Sequence, residues 1–129
     1  MGKGTMMVAL VALMVSLFAA AAYAEVISGG SGNDNLDDPN GATNDQLYGK
    51  GGSDDVDANA VGIDNDADTA AGGGGSDQVS GVDGDTKDLV AGNRGKNDTC
   101  YLDRIVETGE RDTRGGGCEK VTYNDLTNE

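Results

Sequence analysis

Carboxylates that follow glycine-rich turns are the groups in this 129-residue sequence best suited to chemistry. Asp34, Asp54, Asp77 and Asp98 each come shortly after a segment that contains two or more glycines. Carboxylate oxygens, together with the backbone carbonyls that glycine leaves accessible, are the ligands that hard divalent cations prefer. The sequence has no His, which excludes Ser–His and Cys–His catalysis and imidazole-ligated zinc. These residues therefore indicate cation binding through oxygen and argue against an ordinary hydrolase.

The glycine turns belong to a repeat. Residues 29–36 read G-G-S-G-N-D-N-L and residues 72–79 read G-G-G-G-S-D-Q-V, and both match G-G-x-G-x-D-x-U, where U is apolar. Residues 49–56 depart only at the second glycine, whereas residues 92–100 lose that glycine and gain one residue before the aspartate. The composition alone would also fit disorder. Disorder predicts no register, however, and this chain has one.

The repeat resembles the RTX, or hemolysin-type, calcium-binding nonapeptides of secreted bacterial proteins. The resemblance implies an all-β fold, a right-handed parallel β-roll over residues 25–100, with bound Ca²⁺. It also implies that the carbonyls of the first four turn positions and the aspartate side chain are the ligands. In this chain those positions are Gly29, Gly30, Ser31, Gly32 and Asp34; Gly49, Lys50, Gly51, Gly52 and Asp54; Gly72, Gly73, Gly74, Gly75 and Asp77; and, in the distorted fourth copy, Gly95 and Asp98.

Weaker D-x-U units alternate with the glycine turns, at Asp45, Asp68 and Asp88. Adding them gives apolar positions separated by nine residues or by nine plus an insertion, and we expect these positions to face inward: Ile27, Leu36, Leu47, Val56, Ala70, Val79, Val90 and Cys100. In a β-roll, alternate turns stack on opposite edges. The four aspartates of the glycine turns thus define a glycine edge, and the three of the weaker units define an insertion edge. We expect the glycine edge to be the strong ion-binding edge and the insertion edge to offer weaker metal candidates.

Stacking explains why calcium suits these residues. Neighbouring strands lie about 4.8 Å apart, so equivalent carboxylates on successive coils repel one another unless a cation lies between them. Ca²⁺ accepts six to eight oxygens in a flexible shell, whereas Mg²⁺ demands a strict octahedron and transition metals favour imidazole or thiolate. We expect up to three ions on the glycine edge, between the pairs 34/54, 54/77 and 77/98.

Residues 1–24 read as a signal peptide. Lys3 is followed by an apolar run at residues 6–22, and Ala22-Tyr23-Ala24 supplies small residues before Glu25. A single transmembrane anchor is the alternative, but a run of this length with such a cleavage site favours export. We therefore expect a secreted, extracellular protein without membrane insertion after cleavage. The formal net charge of −14 argues against nucleic acid as a partner.

The two cysteines, Cys100 and Cys118, would then lie in an oxidising compartment, and we expect them to form a disulfide. The nonapeptide fades after Cys100, and residues 101–129 resemble the cysteine-bearing C-terminal end found in proteins of the repeat class. We expect this segment to cap the roll, closed by the disulfide. A free catalytic thiol is the alternative, but the chain offers no base to activate it.

Two other acidic stretches have simpler readings. Residues 64–68 imitate the start of an EF-hand loop, but Thr69 and Gly75 occupy the positions that need glycine and glutamate. This insertion and Asp83-Gly84-Asp85 are expected to be solvated turns, although the first could hold an ion of its own. The sequence as a whole predicts a non-enzymatic calcium-binding protein whose folding is coupled to calcium. The alternative is an extracellular adhesion or interaction module in which calcium is only structural, with a cell-surface or matrix partner.

Overall fold

A computed structural model describes residues 23–38, 43–58 and 65–127. Residues 1–22 of the predicted signal peptide, Pro39 and Asp64 lie outside them. The described residues form ten strands: β1 (Val26–Ser28), β2 (Asn35–Asp37), β3 (Gln46–Gly51), β4 (Asp55–Asp57), β5 (Thr69–Gly75), β6 (Gln78–Ser80), β7 (Leu89–Gly95), β8 (Thr99–Ile105), β9 (Thr113–Arg114) and β10 (Lys120–Leu126). Each strand of the repeat begins one residue after its aspartate, because the motif ends a turn there.

Odd and even strands separate into two parallel sheets. One sheet has the order β1-β3-β5-β7-β9 and the other the order β10-β8-β6-β4-β2. Successive strands of the chain therefore alternate between the sheets, and two strands with two turns make one coil. The fold is an all-β parallel β-solenoid, as the repeat predicts. Its glycine edge carries the chain from the first sheet to the second, and its insertion edge carries the chain back.

The predicted inward positions form two stacks between the sheets. Ile27, Leu47, Ala70 and Val90 are successive partners in the first sheet. The second sheet stacks Leu36, Val56, Val79 and Cys100 in the same way. All are buried except Ile27, which is partly buried in the outermost coil. Because side chains alternate along a strand, the residue two places after each aspartate points inward. Ala58 and Leu102, which lie four places after Asp54 and Asp98, are buried in the same core.

The solenoid continues beyond Cys100. β8 runs on to Ile105, and β9 and β10 add a further strand to each sheet, so much of the segment expected to be a cap forms another coil. Cys100 pairs across the sheet with Val121, and its sulfur is bonded to that of Cys118, with 5.7 Å between the two Cα atoms. The predicted disulfide is confirmed. It links the last glycine-edge turn to the coil before it.

Candidate metal centres

A ladder of hydrogen bonds stacks the aspartates of the glycine edge. The Asp34 N–H donates to Oδ1 of Asp54 (2.9 Å), the Asp54 N–H to Oδ1 of Asp77 (2.8 Å), and the Asp77 N–H to Oδ1 of Asp98 (2.9 Å). The Asp98 N–H donates to Oε2 of Glu119 (2.8 Å), which ends the ladder. Each carboxylate thus reaches back one coil to a backbone amide. The predicted stacking of these four aspartates is present.

The second carboxylate oxygen of each aspartate faces the first glycine of its own turn. A Cβ on Gly29, Gly49, Gly72 or Gly92 would collide with the carboxylate of the aspartate in the same turn. Only glycine leaves room there, so the motif requires this residue for space and not only for backbone conformation. The Oδ2 atoms of Asp54, Asp77 and Asp98 are buried and have no hydrogen-bond partner within the described ranges. Buried carboxylate oxygens without partners are costly, so these atoms mark positions where a cation would be stabilised.

The turns keep their shape where the second glycine is missing. Lys50 and Asn93 pair in register with Gly73, and all three have positive φ, of 78°, 70° and 113° respectively. The fourth turn takes up its extra residue before Asp98, where Asn97 also has a positive φ of 69°. The departures from the motif at residues 49–56 and 92–100 therefore leave the aspartate ladder intact.

The carbonyls implied as ligands lie on the same edge, and some already accept hydrogen bonds between coils. The Gly30 carbonyl accepts the Gly51 N–H (3.2 Å), and the Gly74 carbonyl accepts the Gly52 N–H (2.9 Å). Each carbonyl oxygen keeps a second lone pair. Burial raises the pKa of Asp77, and the neighbouring carboxylates of Asp98 and Asp54 add to this effect. Electrostatic repulsion along the glycine edge is therefore present at Asp77.

The insertion edge carries a ladder of the same kind. The Asp45 N–H donates to Oδ1 of Asp68 (2.7 Å), the Asp68 N–H to Oδ1 of Asp88 (2.8 Å), and the Asp88 N–H to Oδ1 of Asp112 (3.2 Å). We expected this edge to be the weaker one. In hydrogen bonding, its aspartates match those of the glycine edge.

Two groups of three carboxylates also lie on the insertion edge. Within each group, oxygens from all three side chains lie within 4.8 Å of one another. One group is formed by Asp68, Asp83 and Asp88, the other by Asp85, Asp88 and Asp112, and all five residues are buried. Burial and neighbouring carboxylates raise the pKa of Asp88 to about 9 and that of Asp112 to about 6. These stacked, buried aspartates in the solenoid turns could hold metal ions.

The sequence reasoning missed several of these residues. The sequence predicts a turn at Asp83-Gly84-Asp85, where the chain does bend, but the pattern does not show that both aspartates are buried. Asp103 was not singled out, yet its Oδ2 accepts the N–H groups of Asp83 (3.0 Å) and Gly84 (2.7 Å). Glu119 could have been found, because Glu119-Lys120-Val121 has the acid-x-apolar spacing of the repeat with glutamate in place of aspartate.

No family model, curated protein or solved structure matches this chain. The resemblance to the RTX repeats therefore rests on the motif and on the solenoid that it predicted. No helix among the described residues is long and apolar enough to span a bilayer.

Proposed function

We propose that this protein is a secreted, non-enzymatic, calcium-binding β-roll whose folding is coupled to calcium binding in its glycine turns. The ligands would be the aspartates of the glycine edge with the turn carbonyls, and up to three ions would lie between Asp34, Asp54, Asp77 and Asp98. The observation that carries this proposal is the stack of buried carboxylates with unpartnered oxygens on that edge.

The interior of the solenoid is unusually acidic. Among the described residues, buried aspartates are nearly as numerous as buried apolar side chains: Asp38, Asp45, Asp54, Asp68, Asp77, Asp83, Asp85, Asp88, Asp98, Asp103 and Asp112. Aspartate is almost never fully buried unless a partner compensates its charge. The chain has 23 acidic but only 9 basic side chains, so its own cations are too few. Divalent ions from solution would supply the missing charge.

This shortage of positive charge favours coupling between binding and folding. In the unfolded chain the carboxylates are hydrated and far apart, whereas folding brings them within one strand spacing, about 4.8 Å. An ion that binds only the folded state stabilises it by an amount that grows with ion concentration. The inward stacks contain mostly small side chains, such as Ala70 and Val79, which contribute modest apolar burial. We infer that the calcium-free chain is largely unfolded and that the chain folds outside the cell, where calcium is plentiful.

Circular dichroism of the purified protein tests the proposal directly. Spectra would be recorded with chelator, with millimolar Ca²⁺, and with the same concentration of Mg²⁺ as the control for ionic strength and divalent charge. We expect a disordered spectrum with chelator, a β-sheet spectrum with Ca²⁺, and little change with Mg²⁺. Identical spectra in chelator and in Ca²⁺ would reject coupled folding.

A further inference from the structure

One group of buried carboxylates has no counterpart in the glycine turns. Asp85 lies inside the loop at residues 81–88, Asp88 ends that loop, and Asp112 directly precedes β9. Oxygens of all three side chains lie within 4.8 Å of one another. Asp85, Asp88 and Asp112 are only 8%, 1% and 2% exposed. Side chains from two successive coils therefore converge at a place largely shielded from water.

Two oxygens of this group lack a hydrogen-bond partner. Oδ1 of Asp85 accepts the Lys87 N–H (2.7 Å), and Oδ1 of Asp88 accepts the Asp68 N–H (2.8 Å). The Oδ2 atoms of Asp85 and Asp88 are buried, and neither has a partner among the residues that the structure describes. Each side chain is thus fixed through one oxygen while the other remains available. Such buried, unsatisfied oxygens point to a ligand that is positively charged.

The protein's own cations do not serve this group. Lys87 is the one basic residue of the loop at residues 81–88, but its Nζ donates to the backbone oxygen (2.6 Å) and to Oδ1 (2.6 Å) of Asn65. In the described part of the chain, none of the three carboxylates forms a salt bridge. Asp112 accepts the N–H groups of Asp88 and Asp103, one on each oxygen, and each oxygen keeps a free lone pair.

We propose that Asp85, Asp88 and Asp112 bind one Ca²⁺ ion at a site separate from the glycine turns. Three carboxylates without imidazole or thiolate select a hard cation. Their origin in an irregular loop suits the variable coordination of Ca²⁺ better than the octahedron of Mg²⁺, with water completing the shell. The site is independent of the proposed function, because none of its ligands belongs to a glycine turn.

The position of this site suggests what the ion does. β9 has only two residues, and it is joined to β7 by few hydrogen bonds, including Thr113 N–H to the Asp88 carbonyl (2.7 Å) and Gly115 N–H to the Val90 carbonyl (2.7 Å). The disulfide fastens the last coil on the glycine edge. An ion shared by Asp88 and Asp112 would fasten the same coil on the insertion edge. The short β9 would thereby be held from both sides.

Calcium titration calorimetry of three variants tests the site. Asp85→Asn keeps the oxygen that accepts the Lys87 N–H but removes a charged ligand. Asp55→Asn is the matched control, because Asp55 is exposed on β4. We expect Asp85→Asn to bind about one Ca²⁺ fewer per chain than wild type, and Asp55→Asn to bind the wild-type number. The double variant Asp54→Asn/Asp77→Asn should lose glycine-edge ions and retain this one.

The double variant separates the two proposals. If it titrates like wild type while Asp85→Asn loses an ion, the glycine-edge proposal fails and this site stands. If Asp85→Asn binds as many ions as Asp55→Asn, or if the double variant gives a β-sheet circular dichroism spectrum in Ca²⁺ but binds no Ca²⁺, this site is refuted.

Hydrogen exchange in saturating Ca²⁺ tests the fastening of the last coil. The amides of Thr113 and Gly115 should exchange about tenfold faster in Asp85→Asn than in wild type, because local opening of β9 becomes easier. The amides of β4 should exchange at the wild-type rate in the same sample, which shows that the variant is folded. Equal protection of Thr113 and Gly115 in both proteins would overturn the proposed role.

Discussion

Replacing Asp77 with asparagine should change stability in opposite directions with and without calcium. Asp77 is 1% exposed and lies between Asp54 and Asp98 on the glycine edge. Asparagine has the same shape, and its amide oxygen can still accept the Asp54 N–H. The residue's own N–H can still donate to Asp98. The substitution therefore removes a charge and a proposed ligand while keeping the ladder.

Without calcium, removing the charge of Asp77 should make the folded protein more stable. Two carboxylates one strand spacing apart, about 4.8 Å, repel by about 0.9 kcal/mol at a dielectric constant of 80 and by about 3.5 kcal/mol at 20. Asp77 has two such neighbours, so removing its charge relieves between about 2 and about 7 kcal/mol. Because burial and the neighbouring carboxylates raise the pKa of Asp77, partial protonation relieves part of the repulsion, so we take the lower figure. A gain of about 2 kcal/mol would raise the melting temperature by roughly 10 °C.

With calcium, the same substitution should make the folded protein less stable. Asp77 is shared by two proposed ions, one with Asp54 and one with Asp98. Each ion contributes about 2.7 kcal/mol at a hundredfold excess over its Kd, so losing both would remove about 5 kcal/mol. Subtracting the relief of repulsion leaves the variant about 3 kcal/mol less stable than wild type in calcium.

Thermal unfolding followed by circular dichroism measures both effects, with metal-free protein and with millimolar Ca²⁺ at the same pH. If the metal-free chain is too unstable to melt, an osmolyte such as sucrose can be added to all samples. Asp55→Asn again serves as the control, since it removes one exposed charge from the adjacent strand. A shift of the same sign in both conditions, or one no larger than that of Asp55→Asn, would refute the proposed ion pairing.

Three further predictions concern other parts of the molecule. Because burial raises the pKa of Asp88 to about 9 and that of Asp112 to about 6, the folded metal-free protein holds protons that the unfolded chain releases above about pH 4. With sucrose added so that the metal-free chain folds, its urea midpoint should therefore fall as pH rises from 5 to 9, and Ca²⁺ should bind more weakly at pH 5. Gly75→Ala should lower the free energy of unfolding in calcium by roughly 3 kcal/mol or more, because its φ is 148° and a Cβ would collide with the Gly52 carbonyl. Gly116→Ala is the control, since a Cβ there meets nothing within 4 Å. Reducing the disulfide, whose cysteines are 18 residues apart, should lower the free energy of unfolding in calcium, measured by urea titration, by about 3 kcal/mol. An unchanged midpoint in any of these three experiments would contradict its premise.

The aspartate-to-apolar spacing was sufficient to predict the two inward stacks and the register of the solenoid, but not the buried Ala58 and Leu102. Each aspartate ends a turn, and the strand that follows alternates outward and inward, so the second residue after the aspartate must face the opposite sheet. This is why Leu47 pairs with Ala70 and Val56 with Val79, although the intervening turns differ in length. Insertions in the turns shift the numbering without shifting the register.

Side chains inside the longer turns could not be placed in the same way. Asp112 lies 24 residues after Asp88, and Arg114 occupies the position where the repeat needs an apolar residue, so the motif gives no reason to place it in the ladder. Asp83 and Asp85 lie in a loop whose path depends on where Asp103, from the next coil, offers a hydrogen-bond acceptor. Contacts of this kind join residues about 20 positions apart, and no local pattern encodes them.

The two edges reach the same ladder by different means, and the difference explains where extra carboxylates collect. On the glycine edge the turn is short, and its first glycine brings backbone close to the aspartate, so carbonyls are the neighbours available to a cation. On the insertion edge the loop at residues 81–88 is longer and can fold side chains inward, so Asp83 and Asp85 take the place next to Asp88. Lengthening a turn therefore replaces carbonyl oxygens by carboxylates around a ladder aspartate. It does not abolish the acidic cluster, so in this solenoid loss of the glycine motif is not accompanied by loss of stacked, buried carboxylates.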